Sequence, residues 1–256
     1  MRISLIGAGN LATRLGIALK AAGHDFVQVY SRTEEAAQCL ATLLGAEAVT
    51  RPESLHPDAT LYICALKDDV LGEVLKRVDV GDGILVHTAG SLSVDVLKPF
   101  AAKTGVFYPL QTFHKEREVD FGTIPVFIES SDKVVLFLLK QLVADLGTIA
   151  YEINSEERLK LHISAVFACN FVNYLYTISS DLLAEQKLPF EVLKPLILET
   201  SAKVQNLAPS HAQTGPAIRF DRKVMDKHLA LLDKHAAWKN LYKELSLGIH
   251  QRSKSI

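Results

Sequence analysis

Three polar side chains on a long apolar stretch of the sequence have the residue types and spacing of a proton-transfer site. His162, Asn170 and Asn173 lie in the segment KLHISAVFACNFVNYLYTI. At about 100° per residue, a helix would place His162 and Asn173 on nearly the same face, with Asn170 within roughly a quarter turn. A histidine donates or accepts a proton near neutral pH, and an asparagine orients a polar ligand. The alternative is a core histidine with one hydrogen bond and asparagines that tie helices together.

A second group of residues has the pattern of a dinucleotide-binding turn. The segment SLIGAGNLATRLGIAL places Gly7 and Gly9 after an apolar run and before a helical pattern, with Ala12 at the third position of the fingerprint. Gly7 permits the tight turn, Gly9 admits a pyrophosphate at the helix N-terminus, and Ala12 allows close packing. The predicted cofactor contacts here are Gly7, Ala8, Gly9, Asn10 and Leu11. A glycine-rich turn without a ligand is the alternative.

The end of the second predicted strand indicates which dinucleotide is bound. The segment VQVYSRTEEA offers Ser31, Arg32 and Thr33 where an acidic residue usually binds the ribose of NAD. An acid would repel the additional phosphate of NADP, whereas Arg32 would attract it and the two hydroxyls add donors. We therefore predict NADP. In the alternative interpretation, Arg32 is a surface residue and Thr33 caps the following helix.

Two further segments end predicted strands at the edge where doubly wound sheets bind ligands. CALKDDV and VHTAGSLS follow the third and fourth predicted strands. We expect Asp68 and Ser93 to cap helices rather than to do chemistry. The residues predicted to face the cofactor are Leu66, Lys67, Asp68, Thr88, Ala89 and Gly90.

The order of apolar patterns predicts an α/β fold in which these residues converge. Up to about residue 153, short apolar runs alternate with helical patterns, as in a doubly wound parallel (Rossmann) sheet. Beyond that point the patterns are helical only, which predicts an NADP-binding domain at 1–153 and an all-α domain at 154–256. The longest apolar run is broken by asparagines, so we expect a buried helix and no membrane span.

Composition narrows the functional classes. With 48% hydrophobic and 22% charged residues and a formal charge of -1, the chain has the composition of a soluble globular protein. Scattered basic residues predict no nucleic-acid partner. Three distant cysteines fit neither a disulfide framework nor a zinc site, and the N-terminus is unlike a signal peptide, so we expect a cytoplasmic protein without a bound metal.

Several segments together resemble one protein family over nearly the whole chain. They are GAGNLA, HTAGSLSVDVL, VFYPLQTF, IPVFIE, KLHISAVFACNFVNYL and AQTGPAIRFDRKVMDKHLALL. The chain resembles Rossmann-like proteins whose C-terminal part is the domain of unknown function 2520. These are grouped with deazaflavin-dependent NADP oxidoreductases, pyrroline-5-carboxylate reductases and the 6-phosphogluconate dehydrogenase superfamily.

The resemblance implies where a substrate would bind. It implies that the loop Tyr108 to Phe113 and the long helix line a cleft between the domains, and that Thr214 to Asp221 and His228 belong to a signature of the second domain. The candidate substrate residues are Gln111, Thr112 and Arg219. The chain departs from its relatives in having Tyr108 in place of a histidine and Phe220 in place of a glycine. Arg219 and Asp221 form either a carboxylate clamp or a loop ion pair.

Superfamily members carry a proton-donating lysine and a substrate-holding asparagine on the corresponding helix, so the resemblance implies that His162 is the general acid. The first hypothesis is thus an NADP-dependent oxidoreductase that passes hydride between nicotinamide and a small carbonyl or imine. The second is a non-catalytic NADP-binding sensor. The apolar helices of the second half and the pairing of such helices in related folds predict a homodimer through the helical domain. The sequence leaves the substrate, the direction of reaction and any deazaflavin partner open.

Overall fold

A computed structural model describes residues 1–254 and contains one eight-stranded sheet together with helices. The strands are β1 (Arg2–Ile6), β2 (Asp25–Tyr30), β3 (Glu47–Val49), β4 (Leu61–Cys64), β5 (Ile84–His87), β6 (Lys103–Pro109), β7 (Val126–Glu129) and β8 (Ala150–Glu152). The predicted α/β class, a Rossmann sheet followed by a helical region, is confirmed.

The α-helices and shorter helical turns follow the predicted alternation. They are α1 (Asn10–Ala21), α2 (Glu34–Leu44), α3 (Asp68–Leu75), α4 (Lys133–Asp145), α5 (Ser155–Ala165), α6 (Val172–Glu185), α7 (Lys194–Asn206), α8 (Pro209–Ala212), α9 (Arg222–Leu231) and α10 (Ala236–Ser253). Short 3-10 turns span Pro52–Ser54, Val94–Leu97, Phe121–Thr123 and Phe190–Leu193, and a π-helical segment spans Val166–Phe171.

The strand order is β3-β2-β1-β4-β5-β6-β7-β8, so the order reverses between β1 and β4. In open α/β sheets, ligands bind beside the carboxyl ends of the strands at such a reversal. The glycine turn follows β1, and the predicted cofactor residues near Leu66 follow β4. The topology thus places both segments at this edge of the sheet.

The sheet differs from the predicted parallel arrangement at one pair of strands. β7 pairs with β6 in antiparallel orientation, whereas the other neighbouring strands are parallel. The chain between them, residues 110–125, contains a loop and a 3-10 turn but no α-helix, and a parallel pair usually needs a helical crossover. The loop between β6 and β7 therefore begins and ends at the same edge of the sheet, the edge at which the parallel strands β1 to β6 end.

Apolar residues cover both faces of the sheet. In β4, Leu61 and Ile63 belong to one apolar cluster while Tyr62 and Cys64 belong to another, so successive side chains point to opposite faces. All four residues are buried, as expected for a central parallel strand with helices on both sides. This packing fixes the strand ends that carry the site.

The described chain divides after residue 170 into two compact units, the second of which begins at residue 171. The last strand ends at Glu152 and the helical region begins at Ser155, close to the compositional change at 153/154. The helical run from Ser155 continues to Glu185. It is long and apolar enough to span a membrane by length and composition alone, which is weak evidence for a span.

The long helical run is not buried within one chain, contrary to the expectation from its apolar sequence. Arg158 is the buried residue of α5, and none of α6 is buried. A stripe of apolar residues at helical spacing is instead exposed, each residue between 48% and 63%: Leu159, Ile163, Phe167, Phe171 and Tyr174. An apolar sequence predicts that a helix needs a covering surface, but not that the same chain supplies it.

Candidate functional site

The glycine turn between β1 and α1 has the backbone that the fingerprint predicts. Gly7 has a φ of 119°, and its N–H donates to the Tyr30 carbonyl oxygen at 2.8 Å. A Cβ at Gly7 would lie 2.4 Å from the Ala65 carbonyl oxygen, so a side chain is excluded by space as well as by backbone angle. Ala12 is fully buried, as close packing of helix and strand requires.

The start of α1 is shaped to receive an anion. Gly9 is the N-cap and supplies no side-chain hydrogen bond, and the first turn of α1 contains no acidic residue. A Cβ at Gly9 would meet nothing within 4 Å, so the space in front of the helix is open. Free amides at a helix N-terminus bind phosphate. These residues fit the pyrophosphate of a dinucleotide.

A cavity of about 640 Å³ lies within the first compact unit, beside the start of α1. Its lining comes from α1, from the segments after β4 and β5, from the end of β6 with its following loop, and from the helical residues 162–170. The predicted residues that it brings together are Asn10, Leu11, Leu66, Asp68, Thr88, Ala89, Gly90, Gln111, Thr112, His162 and Asn170. Segments far apart in sequence therefore share one concave surface, as a ligand site requires.

Two residues at the wall of this cavity form a direct pair. The Tyr108 hydroxyl lies 3.1 Å from Nδ1 of His162, and the rings meet edge to face with centroids 6.2 Å apart. Tyr108 is buried, and burial raises the pKa of its phenol although the nearby Arg158 charge opposes that shift. The phenol therefore stays protonated at neutral pH.

The imidazole of His162 also packs against the segment that follows β5. A Cβ added at Gly90 would lie 2.6 Å from Nδ1 of His162, well inside van der Waals contact. Glycine at this position leaves the room that the ring occupies. Gly90 was predicted as a cofactor contact, and in the structure its backbone lies against the ring of the candidate proton donor.

A buried arginine anchors α5 to the sheet. Arg158 is fully buried, forms an ion pair with Glu129 of β7, and donates to the carbonyl oxygen of Leu92. Ser155 adds a hydrogen bond of 2.9 Å from its hydroxyl to Glu129. This network joins the helix that carries His162 to β7 and to the segment after β5. The sequence analysis did not single out Arg158, because an arginine near a helix start is usually solvated.

A second histidine supports the segment after β5. His87 is fully buried; its Nδ1 accepts from the Ala89 N–H at 3.2 Å, and its Nε2 lies 3.3 Å from the Ser93 carbonyl oxygen. Burial, with the Arg158 charge as a smaller cause, lowers the pKa of His87 to about 4. His87 is therefore neutral at neutral pH and holds the turn of Thr88 to Gly90 in place.

The residues predicted to select NADP lie at the end of β2. Arg32 and Thr33 are exposed and Ser31 is half-buried. The Ser31 N–H donates to the Val49 carbonyl oxygen at 3.1 Å, so the ends of β2 and β3 lie side by side. Arg51 follows β3 and is also exposed, which adds a second cation at this edge. Because β3 is a short strand that the sequence pattern did not reveal, Arg51 was not predicted.

Of the two predicted helix caps, Ser93 and Asp68, one is confirmed. Ser93 caps a 3-10 turn, with its hydroxyl accepting from the Asp95 N–H, as predicted. The residue that precedes α3 is Lys67, so Asp68 is the first helical residue and not the cap. The Asp68 carboxylate instead accepts a hydrogen bond from the Ser91 hydroxyl. It thereby links the starts of the segments after β4 and β5.

The predicted polar stripe of the long helix is interrupted. The prediction that His162 and Asn173 share a face assumed α-helical geometry throughout, but Val166–Phe171 is π-helical. Each hydrogen bond of a π-helix spans one residue more than in an α-helix, so the residues after the π segment lie on a different face of the helix than an unbroken α-helix would give them. Asn170 lines the cavity with His162, whereas Asn173 is not among its lining residues. Such π segments are frequent at functional sites.

The remaining predicted residues lie outside the lining of the cavity. Asp221 caps α9 through the Val224 N–H at 3.2 Å, and among residues 1–254 it makes no ion pair with Arg219, contrary to the loop-pair interpretation. His228 packs against Tyr242 with a hydrogen bond of 2.9 Å, and His114 is exposed. Residues predicted for the site but absent from the cavity lining are Gly7, Ala8, Gly9, Ser31, Arg32, Thr33, Lys67, Asn173 and Arg219.

Two family models match different parts of the chain. Residues 1–114 match a Rossmann-like domain, and residues 124–249 match the domain of unknown function DUF2520. Among curated protein sequences, none matches the chain.

Similar solved structures differ widely in their sequence identity to this chain. A Bacteroides fragilis protein, provisionally named an NADP oxidoreductase, is 46% identical over 98% of each chain, with a TM-score of 0.92. A Thermotoga maritima protein is 22% identical over 99% of this chain and 98% of its own, with a TM-score of 0.74. A Myxococcus stipitatus imine reductase in complex with NADP+ is 16% identical over 100% of this chain and 93% of its own, with a TM-score of 0.65. The last two share the fold. The chain belongs to the family of Rossmann-like proteins that carry DUF2520, and the predicted resemblance is confirmed.

Proposed function

We propose that the chain is an NADP-dependent oxidoreductase that transfers hydride between nicotinamide and a small carbonyl or imine substrate. The observation that carries the proposal is the cavity in which the start of α1, the ends of β4 and β5 and the Tyr108 and His162 pair meet. The provisional name of the Bacteroides relative and the bound NADP+ of the Myxococcus relative agree with this reaction class.

The residues of the proposed cofactor site fit NADP better than NAD. The open start of α1 suits the pyrophosphate, and the end of β2 carries Arg32 in place of an acid. Arg51 at the end of β3 adds positive charge on the same edge. Both guanidinium groups are exposed, so an additional ribose phosphate would find them accessible.

The proposed chemistry divides between the cofactor and the chain. When bound, nicotinamide supplies or accepts the hydride. Reduction of a carbonyl or imine also needs a proton at the oxygen or nitrogen, and His162 is the proposed donor. Asn170, Gln111 and Thr112 line the same cavity and are proposed to orient the substrate. Asn173 and Arg219 stay candidate substrate contacts from the sequence.

We also propose a homodimer through the helical domain, 154–256, in the cytoplasm. The exposed apolar stripe of the long helical run supports a second copy as the covering partner, because a large exposed apolar surface marks an interaction site. The free cysteines Cys39, Cys64 and Cys169 agree with a reducing compartment.

The cofactor proposal is tested by fluorescence titration with NADPH and NADH. The natural protein should prefer NADPH, and Arg32→Ala should weaken NADPH binding about 10- to 100-fold because a charge-assisted phosphate contact is lost. NADH binding should stay the same. Arg2→Ala, an exposed arginine of the same unit at the start of β1, is the matched control and should change neither affinity. Equal effects on both cofactors would remove Arg32 from the recognition of the phosphate.

A further inference from the structure

The pair formed by Tyr108 and His162 decides which ring nitrogen of the histidine carries the hydrogen. The hydroxyl and Nδ1 are 3.1 Å apart, so either group could be the donor. Burial keeps the phenol protonated. If the hydroxyl donates to Nδ1, its hydrogen has a partner. If Nδ1 donates instead, the phenol hydrogen has no acceptor among residues 1–254, and an unpaired buried donor is costly.

The packing of the ring agrees with this direction. The edge of the His162 ring that carries Nδ1 faces Tyr108 and the backbone of Gly90. A Cβ added at Gly90 would lie within 3.0 Å of three His162 atoms, namely Nδ1, Cγ and Cβ. Nε2 has no hydrogen-bond partner in the described part of the chain, and His162 lines the cavity. The nitrogen left for a ligand is therefore Nε2.

We propose that Tyr108 is a positioning residue that fixes neutral His162 as the Nε2–H tautomer. Nδ1 accepts from the phenol, so the single hydrogen of the neutral ring stays on Nε2. His162 then offers an N–H to a carbonyl oxygen or imine nitrogen whether the ring is neutral or protonated. The catalytic meaning of this tautomer rests on the proposed function, but the tautomer itself does not.

The test is nitrogen NMR of the full-length chain labelled with 15N in histidine, without cofactor or substrate. Spectra are recorded well above the ordinary pKa of histidine, where the two ring nitrogens of a neutral tautomer differ widely in shift. His162→Gln identifies the signals of His162. The natural protein should show His162 as Nε2–H alone, and Tyr108→Phe should give a mixture of tautomers. A natural protein with the hydrogen on Nδ1, or a tautomer unchanged in Tyr108→Phe, would overturn the proposal.

The chain supplies a matched control. Tyr242 lies 2.9 Å from Nδ1 of His228, so Tyr242→Phe removes the same kind of hydroxyl from an exposed pair. It should leave the His162 signals unchanged. Unchanged signals of buried His87 in Tyr108→Phe would show that the fold is intact. Where the protein turns over NADPH, Tyr108→Phe should lower kcat about 2- to 10-fold and leave the KM for NADPH unchanged. Failure to bind NADPH would overturn the proposed function but not the tautomer.

Discussion

The two compact units differ in how completely each covers its apolar residues. In residues 1–170, both faces of the sheet are packed, and strands such as β4 and β5 are buried throughout. Between 171 and 254, the buried residues are Ala217, Leu232 and Ser246. Large side chains that are exposed there include Leu188, Val192, Leu196, Leu198, Val204 and Leu207. Burial of apolar surface is the main favourable term in folding, so the second unit lacks a source of stability that the first one has.

The two units therefore offer different kinds of surface to a partner. The first unit buries its own apolar core and contains an open cavity that is lined by polar and apolar residues, which suits a small ligand. The second leaves apolar helix faces open, which suits another protein surface. We therefore expect substitutions in the second unit to act on assembly, and those in the first to act on folding or ligand binding.

The largest expected effect is on assembly. Leu198 is 69% exposed on α7, and Leu198→Glu should place a charge in the proposed dimer interface and release monomers of 28.2 kDa. Leu43→Glu is the matched control, because Leu43 is 57% exposed on α2 of the first unit. It should leave the dimer intact. Light scattering measures both masses, and a natural protein of 28.2 kDa at working concentration would contradict the dimer.

A smaller effect is expected from the buried ion pair of the first unit. Arg158→Met leaves the Glu129 carboxylate, which is 15% exposed, without its charged partner. Loss of one member of a buried pair should lower the free energy of unfolding by about 3–5 kcal/mol. Urea denaturation followed by circular dichroism measures the change.

The exposed ion pair on the same helix is the control for burial. Lys160 and Glu156 lie one turn apart with 73% and 79% of their side chains exposed. Lys160→Ala should change the free energy of unfolding by no more than about 0.5 kcal/mol. Equal losses in the two variants would mean that Arg158 does not act through its buried contacts.

The sequence predicted the features that depend on local pattern. The glycine turn, the strand and helix alternation and the long helical run all follow from residues close together in the chain. The short strand β3 was missed because three residues carry little periodicity, and the π segment was missed because it leaves the apolar pattern intact.

Contacts between distant residues were not predictable in the same way. Tyr108 meets His162, and Glu129 meets Arg158, only because β6 and β7 lie beside α5 in the fold. The sequence marked Tyr108 as a departure from its relatives without showing its partner. Arg158 gave no signal, since an arginine near a helix start is usually solvated. The burial of these residues, and the pKa of His87, result from packing.

The proposed oxidoreductase activity is tested by measuring the consumption of NADPH with a set of small carbonyl and imine substrates, for the natural protein and for His162→Ala. We expect the natural protein to oxidise NADPH with at least one substrate. His162→Ala should lose turnover while it binds NADPH with unchanged affinity, because His162 is the proposed proton donor, whereas the glycine turn and Arg32 are proposed to bind the phosphates of the cofactor. Equal turnover in both proteins would remove His162 from the mechanism. Tight NADPH binding by the natural protein without consumption of any substrate would contradict the enzyme and favour a sensor.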